Sequence, residues 1–330
     1  MKKAIFFVLT PVLVLFAASC PSPVTEENPV NHYPDLEFSI IHAYDNAEPY
    51  GPGKEANYYE VKAVQLYTGT HCEIWVDTTV LVSLADAQKI AAEFDGKIQP
   101  LMTGAFGGYN YIFKNGSGKI ALFLLDIKDN YGKNGNSAYV AGYFDARDLI
   151  AVLFKGGDKQ YPHGNKAAML YIDTSPSILN SPQSYSTMAH ELQHLINFVN
   201  SLEKRNQGGM VYLQDTWIDE GLASAAEYIY QGGHDTSPNG RIAHFNTDPF
   251  TTISKGNNFF VWGENSENNS DTILDEYATV YMFFQWLRLQ SGGGNGIYKD
   301  IAQSDKWNYQ AVTEAAAKNF DGTDKSDFED

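Results

Sequence analysis

Cysteine is nearly absent from this chain: 330 residues hold two, Cys20 and Cys72. That excludes a disulfide-stapled scaffold and a four-thiolate zinc site alike. Basic residues are scarce too. Lys and Arg number 23 against 40 Asp and Glu, a formal net charge of −17. A surface so acidic repels nucleic-acid backbones and anionic headgroups. Also missing are the long apolar run of a membrane helix, a Gly-x-Ser-x-Gly nucleophile elbow and any internal repeat. The glycines at 292–294 lack the Lys-Ser/Thr of a phosphate-binding loop. What remains is 43% hydrophobic and 14% aromatic. This is the composition of a globular protein with a sizeable core, sized for one large domain or two ordinary ones.

Met1-Lys2-Lys3 opens the chain, and residues 4–18 are apolar apart from Thr10 and Pro11. That run is too short to span a bilayer and reads as an export signal over 1–19. It ends Phe16-Ala17-Ala18-Ser19-Cys20 and resembles a bacterial lipoprotein signal, although Ala17 stands where Leu is usual. In such a signal, cleavage before Cys20 leaves its thiol to carry lipid. Ordinary secretory cleavage near Ser19 is the alternative. Either way Lys2 and Lys3 are lost and no acid is, so the net charge deepens to about −19. Residues 20–32, with Pro21, Pro23 and Pro29 among polar neighbours, read as an extended tether. Cys72 is then left alone in a strand-like run, buried and inert.

Short β-type runs rich in Val, Ile, Tyr and Phe dominate 33–165, at 59–67, 72–77, 119–127 and 138–144. One helix interrupts them, capped by Ser83, striped by Ala87, Ile90, Ala91 and Phe94, and stopped at Gly96. The polar loop 126–136 offers oxygen ligands for calcium. Its spacing fits no EF-hand, and a solvated hairpin loop is the plainer reading. A last strand at 167–174 leads into a helical region covering 166–330. Ser181-Pro182 opens a helix to about Leu202, a second runs from Asp215 or Thr216 to Gly232-Gly233, and a third spans 272–289. The fold class is α+β. Residues 326–330 stop at a helix-like start with no closing element, as in a shortened chain.

His190-Glu191-Leu192-Gln193-His194 falls midway along the first of those helices. At 3.6 residues per turn, the two histidines project from one face, one turn apart. That spacing lets both imidazoles reach a single Zn²⁺ at about 2.0–2.1 Å. Leu192, Leu195, Ile196 and Val199 cover the other faces, so the helix is buried and its histidine face lines a cleft. Glu191 stands beside the metal rather than on it, where a carboxylate suits a general base for a water that the ion activates. Two unremarkable histidines on an amphipathic helix are the bland alternative.

A hydrolytic zinc usually keeps three protein ligands and an open position. No extended three-histidine motif follows, because His194 is succeeded by Leu195-Ile196-Asn197-Phe198-Val199. Further on, Trp217-Ile218-Asp219-Glu220-Gly221-Leu222-Ala223 opens the second helix. Glu220, framed by apolar Trp217, Ile218 and Leu222, is the favoured third ligand. Asp219 and Glu227 are alternatives, and an acid near a helix start is also favoured there with no ligand role. Gly221 and Ala223 are small enough to let the two helices pack closely.

These segments, 188–198 and 217–223, resemble the hyicolysin family of bacterial neutral metallopeptidases. More broadly they resemble the gluzincins, whose zinc is held by two histidines and a downstream glutamate. The likeness extends through 134–144, 171–174 and 277–284. It implies a thermolysin-like zincin layout, with a β-rich N-terminal part and a helical C-terminal part flanking an active-site cleft. It further implies a zinc endopeptidase for protein or peptide substrates, with one Zn²⁺ on His190, His194 and Glu220 and with Glu191 as base. Gluzincins often carry Asn before the ligand Glu; Asp219 here changes a contact behind the ligands. Related peptidases steady the oxyanion with a tyrosine from a later helix. Tyr277 matches that place, Tyr281 is the spare one turn on, and aromatic core packing is the alternative for both. Gly107-Gly108, Tyr109 and the strand at 138–144 are candidates to line the cleft. The expectation is an exported monomer held to a membrane through lipid on Cys20, with no nucleic-acid partner. Its rival is a catalytically idle zincin-fold surface binding protein or adhesin.

Overall fold

A computed structural model describes residues 15–17, 38–45, 57–109, 118–129, 131–133, 138–154, 157–207, 210–237, 240–263 and 272–320. Cys20, the tether, most of the signal segment, residues 134–137 and the end at 326–330 lie outside them. The chain is α+β. It divides into two compact units, one of residues 11–100 and 112–191, the other of 101–111 and 192–330 with 1–10.

A six-stranded mixed sheet is the framework of the first unit. Strands β1 (Phe38–Asp45), β2 (Asn57–Thr68) and β3 (Cys72–Asp77) form an antiparallel meander with an irregularity between Gln65 and Tyr67. β3 pairs in parallel with β4 (Ile120–Leu125). β5 (Ala138–Val140) lies outside this sheet, antiparallel to Leu15–Ala17. β6 (Gly142–Tyr143) and β7 (Met169–Asp173) are antiparallel to each other, and β7 runs parallel to β4. The order is β1-β2-β3-β4-β7-β6.

β4 and β7 are buried along their whole length, β4 as an uninterrupted apolar run and β7 with Asp173 buried at its end; strands covered on both faces have no side to show to water. In β3 burial alternates instead, with Cys72, Ile74 and Val76 inward. Burial and the neighbouring Asp95 push the Cys72 thiol well above its usual range, so it is inert as expected. Val61, Phe123, Leu125, Tyr143, Met169 and Tyr171 form one packed cluster of this sheet.

The parallel β3–β4 pair requires a crossover, supplied by α1 (Leu84–Glu93) and α2 (Gln99–Phe106). Ser83 caps α1, accepting from the Asp86 N–H at 3.0 Å. The expected stop at Gly96 does not occur. The chain continues through a π-type turn over Phe94–Ile98, whose two end residues are fully buried, and enters α2. Burial of those side chains outweighs the roughly 1 kcal/mol that glycine costs inside a helix. A second departure is α3 (Ala146–Leu153), a helix inside the stretch expected to be mostly strands. Asp145 caps it through the Arg147 N–H, while the β-favouring run Leu-Ile-Ala-Val-Leu concealed its helical stripe.

Beyond β7 the chain is mostly helical, with α4 (Pro182–Lys204), α5 (Thr216–Gln231), α6 (Arg241–Thr247), α7 (Ile273–Gln290), α8 (Gly296–Ala302) and α9 (Tyr309–Asn319), and a short antiparallel pair, Asn206–Gln207 with Met210–Val211, between α4 and α5. The three long helices fall where their caps placed them. Ser181 accepts from the Ser184 N–H ahead of Pro182, and Gly232, left-handed at φ 72°, ends α5. No helix among the described residues is long and apolar enough to cross a membrane.

Candidate metal centre

α4 is one unbroken helix, buried at every position from 186 to 202. Burial on all sides normally demands an apolar sequence, yet this helix carries His190 and Glu191, each 0% exposed, and His194, 2% exposed. Glu220 on α5 is 1% exposed. Imidazole and carboxylate groups so deeply buried must be compensated from within the protein or by an ion. One ligand atom from each of His190, His194 and Glu220 lies within 4.8 Å of the other two. Among the described residues no other set of His, Cys, Asp or Glu converges in this way.

The two acids at the start of α5 take opposite nitrogens of His194. Asp219 Oδ2 lies 2.9 Å from Nδ1, and Glu220 Oε2 lies 3.9 Å from Nε2. Asp219 thus stands on the Nδ1 side of the ring and Glu220 on the Nε2 side. Glu227, the other acid weighed as a ligand, sits 3.5 Å from Arg241 Nη2 instead. Two imidazoles and one carboxylate form a nitrogen and oxygen donor set that suits zinc.

Over 262 residues the chain is 34% identical to the neutral metalloprotease ShpI of Staphylococcus hyicus, an alignment covering 77% of this chain and 53% of that relative. The chain belongs to the bacterial neutral metallopeptidase family. It spans about half the length of the curated relative it matches. No family model matches it.

In this member of the neutral metallopeptidase family, the Tyr277 hydroxyl donates to Glu220 Oε1 at 3.1 Å. The tyrosine is buried, its ring edge-on to Trp262 at 4.9 Å and capped by the Arg241 guanidinium at 4.6 Å. Tyr281 is engaged elsewhere, 2.7 Å from His234 Nδ1, and burial makes it a weaker acid than usual. Sequence reasoning thus found a tyrosine at the ligands but not its bond to Glu220, and it missed Arg241 and Trp262 altogether. Arg241 opens the short helix α6 and Trp262 follows it in irregular chain, and neither falls in a segment whose period flags a side chain. Tyr109, weighed as a cleft residue, is buried. In the loop considered for calcium, the Asp129 carboxylate accepts N–H groups from Tyr131 and Val140.

Gly221 serves a different contact from the one expected. Its Cα faces the Phe284 ring of α7, not α4. Gly142 on β6, by contrast, lies directly against the helix that carries Glu191. A Cβ there would meet Thr187 Cγ2 and the Tyr171 carbonyl oxygen at 2.8 Å and Glu191 Cγ at 3.3 Å. Gly142→Ala is therefore expected to shift α4 at Glu191, lowering kcat/KM at least tenfold and stability by about 1–3 kcal/mol. Peptide-cleavage kinetics and thermal unfolding check both. A variant with wild-type kcat/KM would show that Glu191 does not depend on this contact.

Proposed function

We propose that this chain is a zinc-dependent endopeptidase that hydrolyses peptide bonds in protein or peptide substrates. The convergence of His190, His194 and Glu220, with Glu191 one residue along the same buried helix, carries the reading. His190, His194 and Glu220 hold the ion, which supplies Lewis acidity and draws the pKa of water toward neutrality. Glu191 takes a proton from the attacking water on its carboxylate and returns it to the leaving amine. Asp219 keeps His194 in the ligating tautomer. Glu220 is held from its far side, Oε1 accepting from Tyr277 while Oε2 faces His194. Tyr277 is the proposed donor to the developing oxyanion, toward which its single hydroxyl proton must turn from Glu220 Oε1.

In this reading residues 1–19 direct export, Cys20 carries lipid and 20–32 tether the enzyme to a membrane surface. The peptidase is a monomer built from a β-rich part, 33–165, and a helical part, 166–330.

Metal removal tests the proposal. The purified protein is expected to hold one zinc and to cleave casein, and chelation is expected to abolish cleavage. An ion present at a thousand times its Kd stabilises the fold by about 4 kcal/mol. Stripping it should therefore lower Tm on the order of 10 °C, and added zinc should restore both properties. Cleavage that survives full chelation would sink the metal mechanism. Zinc binding without any cleavage would favour an idle binding scaffold.

A further inference from the structure

A polar stripe runs along α4 away from the candidate metal site. Asn197, Ser201 and Arg205 follow His194 by three, seven and eleven residues, successive positions on one helical face. All are buried, with exposures of 3%, 1% and 0%. A helix buried on this face would ordinarily be lined with leucine or alanine, so the stripe needs an explanation.

Arg205 sits at its end. Its Nη1 donates to the carbonyls of Ala302 at 3.1 Å and Ser304 at 3.0 Å. Nη2 donates to the Asn197 carbonyl at 2.9 Å, Asn197 Oδ1 at 2.8 Å and Ser201 Oγ at 2.8 Å, and Nε donates to Ser201 Oγ at 3.2 Å. Each of these acceptors is neutral, and a buried guanidinium so placed is poorly compensated. Burial draws its pKa down to about 10, and Asp219 acts in the opposite direction. The compensating carboxylate is thus reached through an intermediary.

Asn197 is that intermediary. Arginine only donates and aspartate only accepts, so the orientation of the Asn197 amide is dictated from both sides. Oδ1 faces Arg205, and Nδ2 donates to Asp219 Oδ1 at 2.5 Å. The second oxygen of Asp219 lies 2.9 Å from His194 Nδ1. Turning the amide over would set donor against donor and acceptor against acceptor, so each contact holds the next in place.

We infer that Arg205 and Asn197 are positioning residues that act through Asp219 to hold His194 in the tautomer and ring orientation that bind the ion. This inference rests on the zinc reading above. Neither residue touches substrate or metal; each acts on the affinity of the site.

Zinc affinity of the full chain, measured by competition with a chromophoric chelator, tests the relay directly. Asn197→Asp sets two carboxylates against each other and is expected to weaken zinc 10–100-fold. Combining it with Asp219→Asn restores a donor facing an acceptor at every joint and should recover most of that loss. Arg205→Met is expected to weaken zinc about tenfold; Arg205→Lys, which keeps the charge but loses the fork, should fall between it and wild type. Asn200→Ala is the control. Asn200 is buried on the same helix and donates to the Phe106 carbonyl at 3.3 Å, off the stripe. It should lose stability while binding zinc within twofold of wild type. Folded Asn197→Asp and Arg205→Lys variants that bind zinc like wild type would overturn the relay. So would an Asn200→Ala variant that weakens zinc as much as they do. A wild-type protein that binds no zinc overturns the metal reading itself, a result distinct from either.

Discussion

Glu191→Gln is expected to yield a folded protein that still binds one zinc and cleaves peptide 10²–10⁴-fold more slowly. The substitution keeps the side-chain shape and the Cγ that packs near Gly142, and it leaves His190, His194 and Glu220 untouched. What it removes is the ability to take up and hand back a proton. Because Glu191 is fully buried, bulk water is poorly placed to substitute for that proton path. Turnover on a fluorogenic peptide and zinc stoichiometry on the same sample separate the cases. Activity within tenfold of wild type would place the base elsewhere, whereas loss of zinc would make Glu191 a ligand.

Gly221→Val carries the second large effect. A Cβ at 221 would run into three ring carbons of Phe284. That ring is fully buried among Trp217, Phe283 and Tyr298 and has no open direction in which to swing. Relief must come from separating α5 from α7. Overpacking of this kind costs about 1–3 kcal/mol, or on the order of 5–10 °C in Tm. The same movement pulls Glu220, the preceding residue, away from the α7 hydroxyl of Tyr277. Zinc affinity is therefore expected to fall at least tenfold alongside Tm. A Val variant that melts with wild type would mean that the two helices are not held at this distance.

The two-histidine spacing, the caps at Ser83, Ser181 and Gly232, and the uninterrupted apolar run of β4 were legible because each is a local signal. A helical period, a capping side chain and a continuous apolar strand depend on near neighbours only. Gly96 misled for the same reason. Its local tendency is to stop a helix, and the burial of Phe94 and Ile98 that overrides it depends on contacts made at long range. α3 was lost to residues with a preference for strands. At the site, the pairing of Glu220 with His194 was foreseeable from its apolar frame, but Asp219, Asn197 and Arg205 form a chain across two helices. No spacing in the sequence displays a bond between residues 197 and 219. A polar stripe on an otherwise buried helix was visible, and it is the signal that leads to Arg205.

The carbonyls that close over Arg205 belong to residues 97 and 99 positions further along the chain. During synthesis His190, His194 and Glu220 all exist long before those carbonyls arrive. A chain that stops short of Ala302 holds all three of these residues but lacks the two carbonyls that accept from Arg205 Nη1. If Arg205 supports His194 as inferred above, that support is complete only once the end of α8 is in place.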